Sequence, residues 1–141
     1  MDNLTKNQRK KNMQSIKSKN TKIEIKLRKA LWNKGYRYRL HYKRAVGKPD
    51  IVFLKNKIAV FCDSEFFHGF NWIEQQNNIK SNREYWIPKI ESNMTRDSLV
   101  NETLKNEGWI VIRFWSREIE RNFSSVIAEI EKVLSEKKDK T

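Results

Sequence analysis

Two short apolar runs, residues 50–54 and 57–62, constrain this chain more than any other feature. Only Lys55 and Asn56 separate them, so the pair reads as an antiparallel hairpin. Their near-continuous apolar character predicts the centre of a sheet covered on both faces. Asp50 opens the first run, directly after Pro49. The second run closes on Asp63 and Glu65, then Phe66, Phe67 and His68. Carboxylates at the ends of buried strands are costly unless something cationic meets them. In a hairpin the start of one strand lies beside the end of the next, which places Asp50 next to Asp63. If the strand persists, alternation puts Asp63 and Glu65 on one side, with Cys62 and Ser64 opposite. Such a hard-oxygen site, completed by a backbone carbonyl, suits Mg²⁺. The one soft donor, the Cys62 thiol, argues against zinc or copper.

The remaining elements fall in order around this hairpin. Residues 1–20 are polar and basic, with Met13 and Ile16 the only internal apolar positions, and read as an arm with a short helix or as a basic tail. Thr21-Lys22-Ile23-Glu24 matches a capping box, so the Glu24 carboxylate can simply cap the backbone. Ile23, Leu27, Ala30 and Leu31 continue a helix that stops at Gly35. Residues 36–42 alternate as a strand: Tyr36, Tyr38, Leu40 and Tyr42 face inward, and Arg37, Arg39 and His41 face outward. Residues 64–82 show no clear pattern and predict a functional loop. A long helix follows over residues 83–106, ending at Gly108. Residues 109–115 form a fourth strand, and Ile119, Phe123, Ile127, Ile130 and Leu134 mark one last amphipathic helix. The fourth strand, reached through a helix, can pair parallel to a central one. The expected fold is α/β: a mixed sheet of about four strands, helices on both faces, order α-β-β-β-α-β-α. Residues 21–136 read as one domain and residues 137–141 as a frayed tail.

Charge placement suggests the partner. Residues 1–48 hold 16 Lys or Arg against two acids, whereas residues 49–141 hold 14 against 15. An excess confined to one third of a chain predicts a polyanion partner, above all nucleic acid. One cysteine excludes an internal disulfide and a cysteine-rich zinc site. No run approaches the ~18 apolar residues that a membrane span needs. No apolar segment follows the N-terminus as in a signal peptide, so the expected location is cytoplasmic.

Two further residues point to chemistry. On the long helix, Asp97 is seven residues from both Ile90 and Leu104, so it shares their apolar stripe. Its alternative reading is an ion-pair partner for Arg96 or Arg113. His68 follows Asp63 closely and carries the side chain suited to proton transfer near neutrality. His41, on the basic face of its strand, reads as a surface or backbone-contacting residue.

Pro49-Asp50 followed by Asp63-Ser64-Glu65 resembles the PD-(D/E)xK nuclease signature, with Glu65 where lysine usually stands. The element order is also that of the restriction-endonuclease-like core. More closely, the chain resembles the very-short-patch repair (Vsr) DNA mismatch endonucleases. The resemblance runs over residues 11–16, 21–27, 47–50, 60–69, 85–90, 93–97 and 107–109. It implies a metal-binding role for Asp50 and for the Cys62 main-chain carbonyl. It implies that His68 works beside the scissile phosphate, that Glu24 orients it, and that Asp97 is a further acid of the site. Met13, Phe66 and Phe67 match apolar wedges pushed between base pairs, an insertion that costs a few kcal/mol per step.

The chain also departs from that family. Asp63 replaces a second histidine and is expected to bind metal directly, with Glu65 as a further candidate ligand. Glu65, Phe70, Trp72 and Arg117 stand where the family's zinc ligands are expected, so no structural zinc is predicted. The expectation is a Mg²⁺-dependent DNA endonuclease that nicks one strand of a duplex at or near a mismatch, gripped by Arg9, Lys10, Lys11, Lys17 and Lys48. A monomer suffices for a nick. The alternatives are a restriction-type or general nuclease that cuts both strands, which needs a dimer, and a non-catalytic DNA-binding module.

Overall fold

The computed structural model describes residues 21–139. The expected arm, with Met13 and the cations at Arg9, Lys10, Lys11 and Lys17, lies outside the described residues. The elements are α1 (Lys22–Asn33), β1 (Arg39–Leu40), β2 (Ile51–Phe53), β3 (Ile58–Asp63), α2 (Glu65–His68), α3 (Trp72–Gln75), α4 (Arg83–Asn106), β4 (Ile110–Trp115), α5 (Ser116–Arg121) and α6 (Phe123–Asp139). A single 3₁₀ turn, Gln76–Asn78, follows α3.

The sheet order is β1-β2-β3-β4. The first three strands pair antiparallel, and β4 pairs parallel to β3. The crossover from β3 to β4 runs through α4. This is a restriction-endonuclease-like α/β core with helices on both faces. Ile51, Val52, Ile58, Ala59 and Val60 have no solvent exposure, as continuous apolar strands require. Burying each of the larger ones is worth ~1.5–3 kcal/mol. Ile51, Phe53, Ile58, Val60, Ile112 and Phe114 face α1, α5 and α6 through Leu27, Leu31, Ile119, Ile127 and Ile130. Val52, Ala59 and Phe61 face α4 through Val100 and Leu104.

Three expectations change. The strand expected over residues 36–42 shrinks to Arg39–Leu40. Tyr36 and Tyr38 still turn inward, edge-on to Phe53. His41 then takes a left-handed backbone (φ 46), which breaks the alternation. Tyr42 consequently packs on the opposite face, against Trp109. Residues 64–82 hold α2, α3 and the 3₁₀ turn, elements too short for periodicity to reveal. The last helix divides at Asn122, whose backbone (φ −126, ψ 45) leaves the helical region.

Candidate active site

Four of the expected carboxylates, Glu24, Asp50, Asp63 and Asp97, gather at the end of β3 where β2 begins. They form two groups, Glu24–His41–Asp50 and Asp63–His68–Asp97.

Asp50 immediately precedes β2. Its Oδ2 accepts a hydrogen bond from the Cys62 backbone N–H at 2.7 Å. The N–H and C=O of one strand residue point to the same side. The Cys62 carbonyl therefore also faces the start of β2, beside Asp50. Glu24 arrives from the first turn of α1. Thr21 makes its half of the capping box, accepting from Glu24 N–H through Oγ1 at 3.3 Å. The Glu24 side chain instead turns inward, where it is 2% exposed, and its Oε1 finds no hydrogen bond. His41 stands between the two acids. Its Nε2 lies 3.5 Å from Glu24 Oε1 and its Nδ1 lies 3.8 Å from Asp50 Oδ1.

The second group sits on the α4 face of the sheet. Asp63 ends β3, and Arg113 of β4 reaches both its oxygens at 3.1 Å. That guanidinium also stacks over Phe61 at 4.0 Å and donates from Nε to Asn101 Oδ1 at 2.6 Å. Asp97 projects from the buried stripe of α4. Its Oδ2 is 2.6 Å from His68 Nδ1, while its Oδ1 is 3.7 Å from Arg113. The ion-pair reading of Asp97 is thus realised with Arg113, and the same carboxylate also meets His68. The expected pairing of Glu24 with His68 is not what the fold builds: Glu24 meets His41, and Asp97 meets His68. A cleft of about 350 Å³ opens between His68, Asn93, Arg96 and Arg113.

Electrostatics separate the groups. Burial pushes the Asp50 carboxyl up to about 7, with Glu24 and Asp63 adding to the rise and the Cys62 N–H opposing it. Burial also raises Asp63, against the lowering effect of His68 and Arg113. His68 is raised: burial lowers it, but the hydrogen bond to Asp97 and the charges of Asp63 and Asp97 prevail. The Cys62 thiol is pushed well up, chiefly by burial, and stays protonated. Arg113 already neutralises Asp63, whereas Glu24 and Asp50 share the neutral-or-charged imidazole of His41 as their neighbour. A divalent cation therefore fits the first group, where a buried carboxylate oxygen lacks a partner. Asp63, expected as a metal ligand, falls in the second group whose spacing would also admit a metal ion, and there Arg113 already pairs with it.

Glu65 is also placed elsewhere. The strand ends at Asp63, so alternation stops, and Glu65 Oε1 accepts from Arg117 N–H at 2.6 Å. Arg117 in turn lies 5.3 Å from the Phe70 ring, and Phe70 packs edge-on to Trp115. Three of the four positions expected for zinc ligands thus meet as protein contacts. Phe66 and Phe67 form an aromatic group with Trp86 and Tyr85. Phe66 is 36% exposed and Tyr85 60%, so the group presents rings to solvent. Lys48 is exposed two residues before Asp50.

His41, Arg113 and Trp86 were not singled out in the sequence as site residues. Arg113 carried a signal, being the lone charge inside the fourth strand. His41 carried none, because its left-handed backbone cannot be read from alternation.

The family model described as DNA mismatch endonuclease Vsr matches residues 1–74. The chain is 49% identical to a type II nicking enzyme, V.NmeDIP, of Neisseria meningitidis serogroup C, over 97% of this chain and 93% of that protein. It is 46% identical to the type II nicking enzyme V.HpaIIP of Haemophilus parainfluenzae, over 97% of this chain and 98% of that protein. It is 30% identical to the DNA mismatch endonuclease Vsr of Escherichia coli (strain K12), over 76% of this chain and 68% of that protein. With this core, these clustered carboxylates and these relatives, the chain belongs to the Vsr family of DNA mismatch endonucleases.

Proposed function

We propose that the chain is a Mg²⁺-dependent endonuclease that hydrolyses one phosphodiester bond of duplex DNA, nicking a single strand at or near a mismatch. The observation that carries this reading is the buried, cation-seeking pair Glu24–Asp50 set beside the Asp97-bound His68. Relatives named as nicking enzymes favour one cut over two.

In this reading Asp50, Glu24 and the Cys62 carbonyl would hold the ion through their oxygens. When bound, Mg²⁺ supplies charge to the scissile phosphate and acidity to a water. The chain's own residues do the rest. Asp97 fixes the His68 ring through Nδ1, so that Nε2 is the nitrogen left to exchange a proton. Arg113 clamps Asp63 and steadies Asp97, so the dyad keeps one geometry. Arg96 and Arg113 make the adjoining cleft attractive to the sugar–phosphate backbone. Lys48 and the cations Arg9, Lys10, Lys11 and Lys17 grip phosphates further out. Met13, Phe66 and Phe67 enter the base stack, and Trp86 packs against the last two. Residues 21–136 act as one nuclease unit, a monomer is enough for a nick, and the place of action is the cytoplasm.

The test is cleavage of mismatched and fully paired duplexes, and of a supercoiled plasmid, with and without Mg²⁺. Nicked product that needs the ion and a mismatch is expected. The Asp50→Ala variant is expected to lose about 10³-fold or more in rate. Linear product from the plasmid, or undiminished cutting by that variant, would overturn the reading.

A further inference from the structure

The imidazole of His41 has no part in the proton exchange assigned to His68, yet the fold commits to its position. His41 adopts φ 46, a region sparsely populated by residues bearing a Cβ, although histidine is among the types enriched there. Its backbone N–H is pinned to the Asp50 carbonyl at 3.0 Å. This kink swings the ring away from the outer face that strand alternation predicts and into the gap between Glu24 and Asp50. The nitrogens stand 3.5 Å and 3.8 Å from those two carboxylates. A second observation marks the gap as a ligand site. Glu24, 2% exposed, aims its unpartnered Oε1 at the ring. A buried carboxylate oxygen left so is costly unless a cation completes it. One ligand atom from each of Glu24, His41 and Asp50 also lies within 4.8 Å of the other two, close enough for a single ion to gather them. Bonds of about 2.1 Å to a small divalent ion place neighbouring ligands about 3 Å apart and opposite ones about 4.2 Å apart.

We propose that His41 is a nitrogen ligand of this cation site and tilts its preference from Mg²⁺ toward Mn²⁺. The inference rests on the metal-dependent reading of Asp50 given above and adds a specificity determinant to it. Mg²⁺ favours an all-oxygen shell, whereas Mn²⁺, although the lowest of the first-row transition ions in affinity, gains more than Mg²⁺ does from one imidazole nitrogen. Glu24 and Asp50 alone leave the site open to either ion; the His41 nitrogen is worth more to Mn²⁺.

The test uses metal-free, DNA-free protein. Mn²⁺ and Mg²⁺ are titrated separately by calorimetry, and the Mn²⁺ complex is examined by pulsed electron paramagnetic resonance for coupling to an imidazole nitrogen. Asparagine accepts the left-handed backbone, so His41→Asn removes the nitrogen without disturbing the turn. The wild type should show the coupling, and His68→Asn should keep it. His41→Asn should lose it, with Mn²⁺ affinity falling about tenfold or more and Mg²⁺ affinity changing by about threefold or less. Should His41→Asn fail to fold, His41→Gly, which adopts the left-handed backbone freely, provides the same readout. The proposal is overturned if the wild type shows no coupling, if coupling survives in the His41 variant, or if both ions weaken equally. Asp50→Asn separates the two failures. If it still binds both ions, the metal-dependent reading of Asp50 fails. If it loses both while the His41 variant is unchanged, only the role of His41 fails.

Discussion

Asp50 carries a carboxyl that the fold pushes well out of its ordinary range. Burial, then the nearby Glu24 and Asp63, raise its carboxyl to about 7. A raised carboxyl keeps its proton longer in the folded than in the unfolded chain. The folded state is therefore favoured below the ordinary value of 3.8 and loses that advantage as pH rises to about 7. A shift of this size corresponds to up to about 4 kcal/mol. Asp63 and His68 are also raised, so their contributions are likewise lost as pH rises. All three shifts share one sign. Metal-free protein should melt at progressively lower temperature from pH 5 to pH 8, and Asp50→Asn should flatten part of that slope. At pH 6, Mg²⁺ uptake should release about one proton, measurable by calorimetry in buffers of different ionisation heat. A melting temperature that climbs over this range would contradict the assignment. Asp97 acts through a neighbour. With its Oδ2 at 2.6 Å from His68 Nδ1, Asp97→Asn should slow cleavage by about 10²–10³-fold while DNA affinity stays within a few-fold. Asp50, Asp63 and Asp97 were legible in the sequence because hairpin register and helical spacing are local rules. The pairing of Glu24 with His41 was not legible. It depends on one left-handed residue and on the angle at which α1 crosses the sheet.

Among the elements, α2 is short but exacting. It delivers His68 to Asp97, and Gly69 closes it with a left-handed backbone (φ 73). A Cβ there would run into the Met94 Sδ of α4. Gly69→Ala should therefore cost the backbone penalty and an overpacking penalty together, about 2–4 kcal/mol, read as a fall in melting temperature. Rate should fall as well, because the seat of His68 shifts. The junction between α2 and α5 rests on Glu65 accepting from Arg117 N–H, where the family resemblance implied a zinc ligand. Glu65→Ala should cost about 1 kcal/mol, the usual worth of a helix-start acceptor, and a zinc chelator should leave melting unchanged in the wild type. A chelator that lowers it would mean a metal holds this junction after all. The extent of α4 was readable from Gly108 and the stripe through Ile90, Asp97 and Leu104. The helices α2 and α3 were not, since each spans barely one turn.

At the scale of the whole molecule, the chain divides into a basic first third and a near-neutral remainder that carries most of the sheet. Such a division serves a protein that must hold DNA with one part while cutting it with another. Phosphate contacts made by Lys and Arg release condensed counterions, so log affinity falls with log salt by about 0.9 per contact. Arg9, Lys10, Lys11 and Lys17 are assigned to the phosphate backbone, which carries no sequence information. Replacing all four by glutamine should reduce that slope by about three to four, and equally on paired and mismatched duplexes. Met13 and Phe66 are assigned to the stack instead. Substituting either by alanine should leave the salt slope unchanged and lower the preference for mismatched over paired DNA. The two sets of variants thus separate grip from recognition. Equal loss of slope from both sets, measured by anisotropy across a salt series, would mean that the aromatic group and the basic arm act on the same contacts, and the division of labour read from the charge pattern would fall.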